Sequence, residues 1–126
     1  MQKTVAIVGA STDRKKYGNK AVRAYEKEGW KVLPIHPEAE EIEGHKAYPD
    51  LASVPEAIHR VSMYLPPQIG MKLLPEIAAV EPKELYFNPG SESPEVVEAA
   101  RAQGLSPIQA CSILSIGREP DEFPEE

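Results

Sequence analysis

Val5-Ala6-Ile7-Val8-Gly9-Ala10-Ser11-Thr12-Asp13-Arg14-Lys15-Lys16-Tyr17-Gly18-Asn19 is an apolar run broken by a glycine, followed by a polar basic loop, a second glycine and the start of a helical pattern. Thr4 to Val8 is short, rich in β-branched residues and apolar on both faces. A strand with that pattern belongs in the middle of a parallel sheet, where helices cover both sides. When such a strand ends on glycine and feeds a helix, backbone N–H groups and the positive end of the helix converge on one point. A phosphate is held well there.

Outward from this stretch, strand and helix patterns alternate. Ala21, Val22 and Tyr25 recur at helical spacing between Gly18 and Glu28, and Gly29 stands where a left-handed cap is favoured. Lys31 to Ile35 reads as a second strand ended by His36-Pro37, with Pro34 removing a ladder donor, so part of it is expected to be unpaired on one side. An acidic connection follows, carrying a brief strand or turn, and Asp50 or Ser53 can cap a small helical turn before Val54. Arg60 to Leu65 is the next strand, stopped by Pro66-Pro67. Ile69, Leu73 and Ile77 then mark a helix whose apolar stripe is expected to be buried, with Pro75 either opening its regular part or kinking it. Leu85 to Phe87 is a strand closed by Asn88-Pro89-Gly90. Ser93-Pro94 starts a helix running to Gln103 and closed by Gly104, and Pro107 to Ala110 is a last short strand. The order implies an α/β fold, a single-domain, doubly wound, mostly parallel sheet of about five strands with helices on both faces. The strand ends Gly9-Ala10-Ser11, His36-Pro37, Pro66-Pro67 and Asn88-Pro89-Gly90 are expected to line one crevice.

Composition restricts the function classes. A chain of 126 residues supports one core, burying roughly two thirds of its unfolded surface. Residues 1–117 are read as the domain and 118–126, with Pro120 and Pro124 among acids, as a flexible acidic tail. The net charge of −6 argues against a general nucleic-acid binder, and Arg14-Lys15-Lys16 is the only run of three basic residues. The single cysteine, Cys111, and a start without a signal-peptide pattern point to a cytoplasmic protein. No apolar run approaches the roughly 20 residues that cross a bilayer, so no membrane role is expected. The three histidines lack metal-ligand spacing, so no metal site is expected.

The loop is not the dinucleotide fingerprint G-x-G-x-x-G, because Ser11 stands two residues after Gly9 and the next glycine is Gly18. The second strand ends near His36 rather than on the carboxylate that grips a ribose 2′-hydroxyl in NAD-binding domains. The phosphate loop pattern G-x-x-x-x-G-K-[ST] is also absent. What remains suits a ligand with several phosphates whose ribose is not held by a carboxylate. Coenzyme A fits through its pyrophosphate and 3′-phosphate.

The segments Val5 to Ser11, Gly18-Asn19, Gly29 to Pro37, Ile42 to Pro49, Pro66-Pro67 and Phe87 to Gly90 resemble the small stand-alone CoA-binding proteins. These are similar to the Rossmann-like amino-terminal domain of the succinyl-CoA synthetase alpha subunit. The resemblance runs from about residue 3 to about Gly117 and implies a Rossmann-like fold with coenzyme A as cofactor. It implies that Gly9, Ala10, Ser11 and Thr12 hold the pyrophosphate, with Gly18 and Asn19 at the helix start. His36 and Pro37 would border the adenosine, and Pro66 and Pro67 the pantetheine. Asn88, Pro89 and Gly90 lie at a further strand end, within reach of ligand. The family often has Asn-Pro-Lys or Asn-Pro-Arg where this chain has His36-Pro37-Glu38. That exchange removes a cation and adds an anion, for which Arg14, Lys15 or Lys16 would compensate by contacting phosphate.

No catalytic constellation is evident, and the expectation is a module that binds coenzyme A or an acyl-CoA rather than an enzyme. Acyl-CoA synthetases, as the resemblance implies, need a phosphorylatable histidine segment and a nucleotide-grasp domain, neither of which is recognisable here. The competing readings are an NAD(P)-type oxidoreductase module and a CoA-sensing regulatory subunit of an acyl-CoA enzyme, with a homodimer or a partner enzyme as assembly. Cys111 reads either as a small buried hydrophobe or as a thiol beside that of CoA.

Overall fold

The computed structural model describes residues 2–126; Met1, at the head of the expected domain, lies outside the described residues. Five parallel strands form one sheet in the spatial order β2 (Lys31–Ile35), β1 (Thr4–Val8), β5 (Arg60–Met63), β6 (Glu84–Phe87), β7 (Pro107–Gln109). Helix α1 (Tyr17–Lys27) joins β1 to β2, α2 (Pro67–Val80) joins β5 to β6, and α3 (Pro94–Ala102) joins β6 to β7. A two-residue antiparallel pair, β3 (Glu41–Ile42) with β4 (His45–Lys46), occupies the acidic connection. The fold is the Rossmann-like α/β sheet that the alternation implies.

Alternation along β1 divides the core. Val5 and Ile7 point to one face, where they pack with Ala21, Tyr25, Ile113 and Phe123. Ala6 and Val8 point to the other, where Leu74 and Ile77 of α2 and Val96 of α3 cover them. Each buried Val, Ile, Leu or Phe among them contributes about 1.5–3 kcal/mol through burial, so β1 is tied to both layers. β2 is an edge strand, and its outer side carries a single bridge, Ile35 to Tyr48, with the Tyr48 N–H donating to the Pro34 carbonyl. Pro34 is tolerated there because the edge requires little pairing.

Several expectations differ from the structure. Helix α2 runs from Pro67 to Val80 through Pro75, and its expected apolar stripe is only partly buried: Ile77 is sealed, whereas Ile69 is 44% exposed. The reason is position, since the first turn of α2 rises past the end of β5 beyond the core. A short helix α4 (Ser112–Ser115) follows β7 where the sequence shows no helical period. Residues 118–126, expected to lie loose, pack on α1 instead. Phe123 is buried among the residues of that core layer, and Arg118 pairs with Glu28 at 2.7 Å. Among the described residues no helix is long and apolar enough to cross a membrane.

Candidate ligand-binding site at the strand carboxyl ends

The site begins where β1 meets α1. Gly9 has φ of +95°, and a Cβ there would approach the Leu65 side chain and the Tyr64 carbonyl carbon to 3.1–3.2 Å. A Cβ on Gly18 would collide with the Gly9 carbonyl oxygen. The end of the strand and the start of the helix therefore touch through backbone alone, which only glycine permits.

Between them the loop folds on its own polar groups. Ser11 Oγ accepts from Asp13 N at 3.0 Å, and Asp13 Oδ1 accepts from Lys15 N at 3.0 Å. The Asn19 amide donates to the Ser11 carbonyl at 2.9 Å and to Glu43 Oε2 at 3.0 Å, while its oxygen accepts from Arg23 Nε at 2.8 Å. Arg23 also donates to the Arg14 carbonyl at 3.0 Å. No side chain caps α1 and no acid lies in its first turn, so the positive end of the helix is not offset by a side chain of that turn.

A cavity of about 930 Å³ opens over this loop. It lies at the β1/β5 switch point, where the connections diverge to opposite sides of the sheet and ligands of such folds settle. Gly9, Ala10, Ser11 and Gly18 form its floor at the loop, with Lys16 and Tyr17 beside them. His36 and Pro37 from the end of β2, Pro66 after β5, and Asn88 and Pro89 after β6 complete the wall. Six expected site residues stand outside this lining. Thr12 and Lys15 lie elsewhere on the loop, and Arg14 is directed to Glu43 at 3.7 Å. Asn19 is buried as the brace just described. Pro67 starts α2, and the Gly90 N–H donates to Glu92 Oε1 at 3.1 Å. Of the three clustered cations, Lys16 is the one on the cavity, and among the described residues it has no ion-pair partner.

The polar side chains of the wall are held by the fold. His36 Nδ1 accepts from the N–H groups of Glu38 and Ala39 at 3.0 and 2.9 Å, so the ring proton sits on Nε2. Glu76 Oε1 accepts from Leu51 N at 2.6 Å. Burial pushes the Tyr64 hydroxyl pKa up, with hydrogen bonds to Ser112 and Ser62 opposing, and the phenol stays neutral. Asn88, fully buried, donates to Ser62 Oγ at 2.9 Å and to the Met63 carbonyl at 2.8 Å, and accepts from Ser112 N at 2.8 Å. This one side chain joins the ends of β5, β6 and the turn after β7. Cys111, half-buried rather than sealed, lies on the cavity at that turn. Among the described residues no group of three or more His, Cys, Asp or Glu is arranged to hold a metal ion.

Sequence reasoning missed Tyr17, Tyr64, Ile69, Leu73 and Pro120 as wall residues. Ile69 carried a usable signal, because an apolar residue in the first turn of a helix that follows a strand end faces the crevice. Pro120 carried none.

A family model described as CoA binding domain matches residues 3–117. A conserved hypothetical protein from Pyrococcus furiosus is 29% identical, with 91% of this chain and 99% of that chain covered and a TM-score of 0.80. A Thermus thermophilus structure titled cell-free ID.343 is 28% identical over 90% of this chain and 87% of that one, with a TM-score of 0.83. The dinucleotide-forming acetyl-coenzyme A synthetase 1 of Ca. Korarchaeum cryptofilum, in complex with phosphate and ADP, is 26% identical. It aligns over 86% of this chain but only 25% of that chain, at a TM-score of 0.75.

Proposed function

The chain belongs to the CoA binding domain family, and from that premise we propose that it binds coenzyme A or an acyl-CoA in the cavity at the strand ends, without catalytic machinery of its own. The observation that carries this reading is the backbone contact of Gly9 with Gly18 beneath an uncapped helix end. The ligand's pyrophosphate would accept from the loop N–H groups and the first turn of α1, with Lys16 adding charge. The adenosine would lie along His36 and Pro37, and the pantetheine would pass Pro66 towards Asn88, Pro89 and Cys111. Van der Waals contact with the apolar wall of Leu65, Ile69 and Leu73 would supply much of the remaining affinity.

The reading without catalytic machinery is supported by how the wall groups are paired. His36 Nδ1 and Glu76 Oε1 accept only from backbone N–H groups and the Asn88 amide is taken up by the fold, so neither the imidazole nor the carboxylate is hydrogen-bonded to a nucleophile that it would activate. Calorimetric titration of the purified chain with CoA tests the reading. A saturable one-to-one isotherm is expected, and no heat and no competition at millimolar CoA would reject it.

A further inference from the structure

The match to the family ends at residue 117, yet the chain beyond it reaches the site. Pro120 lies on the cavity wall. Phe123 is only 7% exposed and packs in the α1 layer of the core, with the Arg23 guanidinium 5.6 Å from its ring centre. Arg23 also donates from Nη1 to the Pro124 carbonyl at 2.8 Å and from Nη2 to the Arg14 carbonyl at 3.0 Å. One guanidinium thus spans the 118–126 segment on one side and the β1–α1 loop on the other. Its Nε meets Asn19, whose amide holds the Ser11 carbonyl. At the far end of α1 Arg118 pairs with Glu28 and Glu122, and near its start Lys20 pairs with Glu125 at 2.9 Å.

We propose that residues 118–126 are a working part of the ligand site: docked on α1, they fix Arg23, and Arg23 fixes the loop in the shape that receives phosphate. Arg23, Asn19 and Phe123 are positioning residues in this arrangement, and none needs to touch ligand. Docking and ligand binding then favour each other, and by linkage the ligand also holds the segment in place. The opposite reading is electrostatic. The segment carries five acids against one arginine, and as a competitor for Lys20 and Lys15 it would weaken anion binding. Geometry favours the first reading, because the segment's contact with the loop runs through Arg23, whereas Glu125 engages Lys20 on the helix and the Glu125 side chain is 56% exposed.

The part of this inference that concerns affinity rests on the CoA reading; the part that concerns the loop does not. The test therefore uses hydrogen exchange of the amides of residues 11–16 without ligand, together with calorimetry against CoA. The full chain is compared with a chain stopped after Gly117, with Phe123→Ala as a milder undocking and with Asp121→Asn, at an exposed acid of the segment, as a charge control. Thermal melts verify that each is folded. Undocking is expected to speed loop exchange and to weaken CoA binding roughly five- to tenfold, while Asp121→Asn does neither. Unchanged exchange in a folded Phe123→Ala chain overturns the proposal, as does tighter CoA binding on undocking. If exchange responds but the full chain binds no CoA, the loop coupling stands and the CoA reading fails.

Discussion

The carbonyl oxygen of Gly9 occupies the space that a side chain on Gly18 would need. Nine residues apart in sequence, the two glycines close the β1–α1 loop into a ring whose open side faces the cavity. Gly18→Ala forces strand and helix apart and is expected to cost about 1–3 kcal/mol of stability, with loss of ligand binding beyond what that destabilisation explains. Gly9→Ala adds strain at positive φ of similar size. Urea titration measures the first effect, and calorimetry on the folded fraction measures the second.

Much of this arrangement is readable from the residues. Burial on both faces leaves β1 and β2 as continuous apolar runs, and punctuation by Gly9, Pro37, Pro66 and Pro89 marks the strand ends that meet at the crevice. The direction of the loop cations is not readable. Arg14, Lys15 and Lys16 are consecutive, and only the turn that Asp13 imposes sends Lys16 to the cavity and Arg14 to Glu43. Nor is the docking of 118–126, which depends on one aromatic residue, Phe123, meeting Arg23 from a distant helix. A lone aromatic among prolines and acids has no periodicity to reveal its partner.

Lys16→Ala is expected to weaken CoA binding about fivefold, the equivalent of roughly 1 kcal/mol for one exposed cation-phosphate contact. Arg14→Ala should have a smaller effect, since Arg14 is turned towards Glu43. Titrations at low and high salt separate the two, because the Lys16 contribution shrinks as screening rises.

Asn88→Ala removes a donor to Ser62 Oγ and to the Met63 carbonyl, which keep their bonds to Ser112 Oγ and to the residue 88 N–H, and removes the acceptor for Ser112 N, leaving that buried N–H without a partner. A loss of about 2–4 kcal/mol is expected from denaturant unfolding. The same change frees the turn bearing Cys111, so alkylation of that thiol should accelerate in the folded variant.

Acid stability depends on carboxylates held below their ordinary range. Burial alone would raise the Glu84 carboxyl, but the Arg60 hydrogen bond and the charges of Arg60 and His59 outweigh it and lower the pKa. The Lys20 hydrogen bond and charge lower Glu125, and the Glu119 N–H with Arg118 lowers Glu122 against a smaller burial effect. Each contributes stability that is full above the unfolded carboxylate value of about 4.3 and is lost as pH falls through the depressed folded value. Melts across that window should show a declining midpoint, and Glu84→Gln should flatten the decline.

Recognition of coenzyme A is tested most directly by competitive calorimetry with CoA, dephospho-CoA, NAD and ATP on the intact chain. CoA is predicted to bind tightest, with affinity falling when the 3′-phosphate is removed and with NAD and ATP displaced. Binding of NAD as tight as that of CoA would contradict the account and return the site to a general nucleotide module.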